Sequence, residues 1–281
     1  RPRVVVSVGG YVSAPICRAA RHLKIPVVTC SYDSKPGMAT KMQARYAATV
    51  AVAHTPSTLR RAQLTGAPVR AELRHLDRGA SRAASRMRLG FSADAKLVVV
   101  MGGSLGSAVL NSATESLVAQ MESPSLANVA ILHIAGSRYM EGQQLASEMR
   151  RPDGSMMYQR IAYSSNMSDI YAAADLVVAR AGASTVAEIA TVGIASVLVP
   201  WKDAAENHQL TNAKSLSDPG GAVLLEESKL ADDVFVQLIG DLLGDESMRL
   251  HIANEARKLG EVHRNCSIAA VVEKAADGVV R

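Results

Sequence analysis

Three short glycine-rich runs have the composition to hold an anion: Val8-Gly9-Gly10-Tyr11-Val12-Ser13, Met101-Gly102-Gly103-Ser104-Leu105-Gly106-Ser107 and Ala179-Arg180-Ala181-Gly182-Ala183-Ser184-Thr185. Each follows a β-branched stretch and leads into an amphipathic one, so each reads as a strand-to-helix turn. Glycine there lets the backbone approach a ligand closely, while the free N–H groups of the next helix and its dipole point at negative charge. Three such turns suggest a diphosphate, or two phosphorylated ligands. None has the spacing of a Walker loop or of G-x-G-x-x-G, which tells against an ATPase or a dinucleotide oxidoreductase. Taken singly, each turn is equally compatible with a tight connection that binds nothing.

Glu188 lies four residues after Ser184, in the first turns of the helix that the third run opens. A carboxylate above the carboxyl ends of parallel strands can accept both O–H donors of a ribose diol; satisfying the helix dipole is the alternative role. Downstream, the polar run from Trp201 to Asn212 opens another helix. His208 and Asn212 are spaced i, i+4 and Gln209 and Asn212 i, i+3, so their tips converge on one side. Imidazole and amide groups read hydroxyls, the chemistry of a sugar, although a solvated helix start has the same composition.

The elements that must carry these residues alternate. Strands are expected at Val4 to Val8, Pro26 to Thr29, Thr49 to Ala53, Leu97 to Met101, Val129 to Ile134, Leu176 to Ala179, Ser196 to Val199 and Ala222 to Leu225. Helices fall at Ala14 to Leu23, Met38 to Ala47, Ser107 to Met121, Met167 to Ala173, Ser184 to Val192 and Glu206 to Ser217. Three more are expected at Lys229 to Leu243, Glu246 to Leu259 and Ser267 to Ala276. Such alternation is the signature of βα units around parallel sheets, hence an α/β protein. With 281 residues, two domains are expected. Gly66, Pro68 and Gly79 interrupt the pattern and mark the boundary.

Composition narrows the class. Hydrophobic residues make up 48% and charged residues 20%, which excludes a disordered chain or a coiled coil, and no apolar run reaches the length of a membrane span. Cys17, Cys30 and Cys266 have neither disulfide-framework nor zinc spacing, so no metal site is expected. The formal charge of +5 hides an asymmetry: residues 1 to 90 carry 16 Lys or Arg against 3 Asp or Glu, the remainder 15 against 23. A basic front half suits a phosphorylated substrate or an anionic membrane surface. Aromatic residues are only 4%, too few to stack single-stranded nucleic acid, so no nucleic-acid partner is expected. Arg18, Arg21 and Lys24 fall at helical spacing and form a short basic face able to rest on anionic headgroups, or simply to be solvated.

Three segments carry a family resemblance: Gly9 to Pro15; Gly102 to Ser107 with Leu110-Asn111; and Tyr171 to Glu188, continued through Pro200 and Asn207-His208-Gln209 to Asn212-Ala213. They resemble the MurG family, the undecaprenyldiphospho-muramoylpentapeptide β-N-acetylglucosaminyltransferases of glycosyltransferase family 28, from Val4 to about Ala276. The resemblance implies a GT-B fold of two Rossmann-like domains facing across a cleft, with residues 1–68 as a partial acceptor and membrane-side domain. Residues 69–263 would be the donor domain, and residues 264–281 a helix packing back on the first. It implies inverting transfer of N-acetylglucosamine from UDP-N-acetylglucosamine to an undecaprenyl-diphosphate-linked muramoyl-pentapeptide (lipid I to lipid II). That step belongs to peptidoglycan synthesis at the cytoplasmic face of the membrane, with no cofactor and no required metal.

Carried over by residue, Arg70 and Ser104 would bind near the donor's diphosphate and sugar, and Ser164 would contact uracil through its backbone. Ala183, Ser184 and Thr185 would hold the diphosphate, Glu188 the ribose, and His208, Gln209 and Asn212 the amino-sugar hydroxyls. Gly9, Gly10 and Tyr11 would lie on the acceptor side. The chain also departs from the family. The family opens with a further strand and a glycine-rich loop ending in histidine, the candidate general base; this sequence starts after that loop, so its first domain is expected to be incomplete and no residue present is assigned as base. The family's His-Glu-Gln-Asn reads Cys30-Ser31-Tyr32-Asp33 here, placing a carboxylate where an amide should help at the donor side, and Leu105 replaces a glutamine. A noncatalytic nucleotide-sugar-binding module needing a partner chain, and a UDP-N-acetylglucosamine epimerase, remain as alternatives.

Overall fold

The computed structural model describes residues 1–126, 128–140, 147–231 and 233–278. The chain forms two sheets. The first contains β1 (Val5–Ser7), β2 (Val27–Ser31), β3 (Thr49–Val52) and β4 (Ala62–Leu64), paired in that order and parallel throughout. Helices α1 (Ser13–His22) and α2 (Met38–Ala44) make its first two crossovers. Next come α3 (Ala71–Arg74) and α4 (Arg78–Leu89), which lead into the second sheet.

The second sheet holds β5 (Lys96–Met101), β6 (Val129–Ile134), β7 (Glu148–Arg150), β8 (Met156–Ile161), β9 (Leu176–Ala179), β10 (Ser196–Leu198) and β11 (Val223–Leu224) in the order β11-β10-β9-β5-β6-β8-β7. Only β7 is antiparallel, along β8. The helices that follow are α5 (Ala108–Ala119), α6 (Met167–Ala173), α7 (Ala183–Val192), α8 (His208–Ser217), α9 (Asp233–Gly244), α10 (Glu246–Leu259), α11 (Glu261–Arg264) and α12 (Ile268–Ala276). The chain moves outward from β5 to one edge and then, from β9, to the other. That reversal leaves a crevice at the carboxyl ends of the strands, where doubly wound sheets bind ligands.

All eight expected strands form. Val98, Val99, Ile131, Val177, Val178 and Val197 are fully buried, as strands covered by helices on both faces require. One core lies on each face: Leu97, Val99 and Leu132 join Tyr171 and Ile189 on one side, and Val98, Val100 and Ile131 join Leu117 and Ile239 on the other. The expected helices also form, with ends displaced by up to three residues; that at Lys229 to Leu243 divides into a 3-10 turn (Glu227–Ala231) and α9, and Asp232 lies outside the described residues.

Three strands (β4, β7 and β8) and three helices (α3, α4 and α11) carried no readable signal. Along β8, buried Met156, Tyr158 and Arg160 alternate with half-buried neighbours, and two of those three side chains are polar or amphipathic. Helix α4 lacks an apolar stripe because its inward residues are Ser85 and Arg86. Its ends are nonetheless firm: the Asp77 carboxylate accepts from Ala80 N at 3.0 Å, and Gly90 closes it in the left-handed conformation, a common helix stop. Arg86, 1% exposed, donates to the carbonyls of Ala173, Ser92 and Ala93 and pairs with Asp175 at 2.6 Å, so α4 is bound to the second sheet by polar contacts.

Two passages connect the sheets. Residues 64–71 lead outward and residues 260–267 lead back, and they lie against each other: Ser267 N donates to Thr65 O at 3.0 Å and Ala67 N to His263 Nδ1 at 3.0 Å. A Cβ on Gly66 would stand 2.2 Å from Val262 O, so this contact requires glycine. Beyond it, α12 places Val271 and Ala275 against Val28 of β2; residues 279–281 lie outside the described residues.

Candidate active site

The three glycine turns end three parallel strands. In the first, Gly9 and Gly10 have φ of +88° and +79°, the left-handed region open to glycine. A buried polar chain anchors it: Ser7 Oγ donates to Gln43 Oε1 and Gln43 Nε2 to Ser13 Oγ, both at 2.7 Å, while Ser13 Oγ donates to Gly10 O. Tyr11 is 82% exposed. In the second turn Gly103 and Gly106 have positive φ, and a Cβ on Gly106 would lie 2.1 Å from Ala135 O. Ser104 is exposed on this turn, and its side chain has no hydrogen-bond partner among the described residues.

In the third turn, Gly182 precedes α7 and offers no side-chain cap. The N–H groups of Ala183, Ser184 and Thr185 therefore open α7 without a side-chain acceptor, the arrangement that receives phosphate. Arg180 ties this turn to the second one. It donates through Nε and Nη2 to Ser107 Oγ at 3.1 and 2.8 Å, and pairs with Glu227 at 2.7 Å.

One helical turn into α7, Glu188 meets two donors. Tyr171 Oη donates to Oε2 at 3.0 Å and Arg70 Nη2 reaches Oε1 at 3.4 Å. Arg70 also donates to Ser165 O at 3.3 Å, beside Ser164, whose Oγ accepts from Asn166 N. Arg70, Glu188 and the Ser164 loop thus stand together. Burial pushes the Glu188 carboxyl above its ordinary range against the pull of Tyr171 and Arg70. Burial, then the nearby Glu188 charge, pushes the Tyr171 phenol well above its own, so the tyrosine stays a donor. Its fully buried position makes Tyr171 a fixed support, which sequence reasoning missed; its spacing of seventeen residues from Glu188 carries no periodic signal.

The polar run that opens α8 takes a more strained shape than its spacing suggests. A 3-10 turn (Ala205–Asn207) precedes the helix, with Glu206 and Asn207 at φ +52° and +56°, a costly state for residues other than glycine that tends to occur at functional sites. The three expected sugar-reading residues take separate partners. His208 Nδ1 lies 2.7 Å from Ala205 O, Gln209 Oε1 accepts from Trp201 N at 3.0 Å, and Asn212 is fully buried. Asn212 Nδ2 donates to Asp33 at 2.8 Å and to Ala181 O at 3.3 Å, while its Oδ1 accepts from Ser34 N at 2.8 Å. Asp33 is thereby matched to an amide donor from the other sheet.

Lys41 meets Glu206 at 3.7 Å, a second link across the cleft. Between these links lies a cavity of about 200 Å³ whose lining includes Gly9, Gly10, Tyr11, Asp33, Thr40 and His208. Residues expected on the acceptor side and on the donor side therefore share one hollow. Among the described residues no group of His, Cys, Asp and Glu is arranged to hold a metal ion.

Comparison with known proteins shows the family. Residues 97–264 match the Glycosyltransferase family 28 C-terminal domain and residues 1–52 match the Glycosyltransferase family 28 N-terminal domain. The UDP-N-acetylglucosamine–N-acetylmuramyl-(pentapeptide) pyrophosphoryl-undecaprenol N-acetylglucosamine transferase of Acidothermus cellulolyticus is 37% identical over 273 residues, 97% of this chain and 73% of that protein. The protein of the same name from Paenarthrobacter aurescens is 35% identical over 264 residues, 92% of this chain and 68% of its own length. The crystal structure of Acinetobacter baumannii MurG superposes with a TM-score of 0.73 at 27% identity, covering 97% of this chain and 73% of that one. A GT-B arrangement of two Rossmann-like units is common to both structures. This chain belongs to glycosyltransferase family 28.

Proposed function

We propose that this chain transfers N-acetylglucosamine from UDP-N-acetylglucosamine, with inversion, to the undecaprenyl-diphosphate-linked muramoyl-pentapeptide, the lipid I to lipid II step of peptidoglycan synthesis. The observation that carries this reading is the Glu188 carboxylate, held by Tyr171 and Arg70 at the foot of an uncapped helix start. Its oxygens accept the two ribose hydroxyls. The N–H groups of Ala183, Ser184 and Thr185 receive the diphosphate, with Ser104 on the neighbouring turn, and the Ser164 backbone faces uracil. Asp33, His208 and Gln209 surround the amino sugar, and the buried Asn212 holds Asp33 and Ser34 in place behind them. On this reading residues 69–263 form the donor domain, and residues 1–68 with the returning helix form the acceptor domain.

Charge controls the reaction. As the glycosidic bond to UDP breaks, negative charge gathers on the β-phosphate. Fixed helix-start N–H groups and the Arg70 guanidinium stabilise that charge without reorganising. The acceptor hydroxyl, presented near Gly9, Gly10 and Tyr11, attacks the anomeric carbon from the opposite face as the bond to UDP breaks, which inverts that carbon, and the hydroxyl proton passes to water.

The acceptor's lipid anchor requires access to a membrane. No helix of the described residues is long and apolar enough to cross one. Helix α1 and the residues flanking it instead expose Val12 and Ile16 together with Arg18, Arg21 and Lys24, a combination suited to the interface of an anionic leaflet. On this reading the chain attaches peripherally at the cytoplasmic face.

Calorimetric titration with UDP-N-acetylglucosamine tests the donor site. Glu188→Ala should weaken binding by about tenfold or more, since hydrogen bonds to a charged group contribute about 1.5–3 kcal/mol. Unchanged affinity would refute the assignment, and release of a 2-epimer in the absence of acceptor would replace transfer with epimerisation.

A further inference from the structure

We propose a second anion site, outside the cleft, in the cavity framed by α3, the start of α4, the end of α7 and α10, which takes a small soluble phosphate-class anion. The cavity measures about 450 Å³, within the range of small-ligand sites. Arg74, His75, Arg78, Asn254 and Arg257 line it, with Asp77 as the single carboxylate. That carboxylate is already engaged, accepting from Ala80 N at the start of α4.

The three guanidinium groups differ in what they lack. Arg78 has its donors filled by neutral carbonyls, those of Tyr171, Gly193 and Ala174 at 3.1, 3.3 and 2.6 Å, so it is held in place without an ion-pair partner among the described residues. Arg74 has a buried Nε with no hydrogen-bond partner, and an orphaned buried donor costs free energy until an acceptor reaches it. Neither Arg74 nor Arg257 pairs with a carboxylate among the described residues. Arg257 is fixed by its stem, since Gly193 packs so closely that a Cβ there would lie 2.6 Å from Arg257 Cβ.

Holding Arg78 charged here has a cost: burial, then the Arg82 charge, lowers its pKa to about 10, with Asp175 opposing and Arg257 adding a smaller push. A phosphate would relieve it, because its oxygens can accept from several guanidinium N–H groups at once. The first turn of α4 lies in the same wall and adds its dipole. Arg74 ends the short helix whose start bears Arg70, and Val192 and Gly193 end the helix that carries Glu188. The ligand would thus rest on the far ends of the two elements that hold the donor carboxylate.

The probe is inorganic pyrophosphate, titrated calorimetrically into protein saturated with UDP so that the cleft is filled. UDP uptake is measured first, so a failure of the donor assignment registers separately. About one pyrophosphate per chain should bind. Arg74→Gln and Arg257→Gln should each weaken it at least tenfold with UDP affinity unchanged, and Asn254→Asp, an isosteric change on the exposed face of α10, should also weaken it by adding repulsion. No uptake by UDP-saturated protein, or uptake that survives these substitutions, would overturn the site. Loss of binding to phosphatidylglycerol vesicles in the same variants, without pyrophosphate uptake, would overturn the soluble ligand.

Discussion

The two sheets of this chain solve different physical problems. The seven-stranded sheet is covered on both faces by continuous apolar cores and pairs its buried guanidinium groups: Arg86 with Asp175, Arg160 with Glu115 and Arg180 with Glu227. The four-stranded sheet has only small separate clusters and leaves Val8, Tyr11, Val12 and Ile16 exposed. A buried ion pair fixes geometry because losing one partner strands the other, whereas exposed apolar and basic side chains make a surface for contact. One region therefore holds groups in place, and the other presents a face. That division fits a donor that arrives from water and an acceptor that stays in lipid.

Four measurements can break or sharpen this contrast. The largest effect is expected from Arg86→Met, which leaves the carbonyls of Ala173, Ser92 and Ala93 without their donor, removes one of the two arginines on Asp175 and unties α4: urea unfolding should show a loss of about 3–5 kcal/mol. A loss below about 1 kcal/mol would mean that the second sheet is not held by its buried charges. Next comes the presenting surface. Replacing Arg18, Arg21 and Lys24 together by Ala should weaken cosedimentation with anionic vesicles by up to about a hundredfold, at about 1 kcal/mol per basic residue, with the melting temperature nearly constant. Undiminished sedimentation would remove this face from the membrane.

The third test sets function against stability at one residue. Glu188 has its carboxyl raised by burial, so between its unfolded and folded pKa values the folded chain binds more protons than the unfolded chain. Stability then falls as pH rises through that window, and the cost persists at neutral pH. Glu188→Gln should raise the melting temperature near pH 7, with the gain vanishing below the ordinary glutamate range, while donor affinity drops about tenfold. A lower melting temperature at pH 7 would contradict it. The smallest effect belongs to Tyr171→Phe. Loss of one hydroxyl donor should cost about 1 kcal/mol of donor affinity and move the acid limb of donor binding to higher pH, since Tyr171 holds the Glu188 carboxyl down; an unmoved limb would show that the tyrosine only fills space.

Much of the fold was legible because parallel strands covered on both faces must be apolar runs, as at Leu97 to Met101 and Val129 to Ile134. Helix α4 was not, because its inward face is built from Ser85 and Arg86, and pattern reading treats both as surface residues. The candidate site divides in the same way. Glu188 could be located from its distance past a glycine turn, a local relation. Tyr171 beneath it, Arg180 joining two turns, and Asn212 facing Asp33 from 179 residues away are products of tertiary packing. Asn212 and Gln209 read as a pair on spacing alone, yet burial gives the first to Asp33 and Ser34 and leaves the second to Trp201.

The paired passages at residues 64–71 and 260–267 have a mechanical result. Two covalent straps laid side by side and pinned by Ser267 to Thr65 and by His263 to Ala67 put both crossings between the sheets on one line, so a change in the angle between the sheets has to turn about it. Widening the cleft would have to break Asn212 from Asp33 and Lys41 from Glu206, and a side chain added at Gly66 would push the two straps apart.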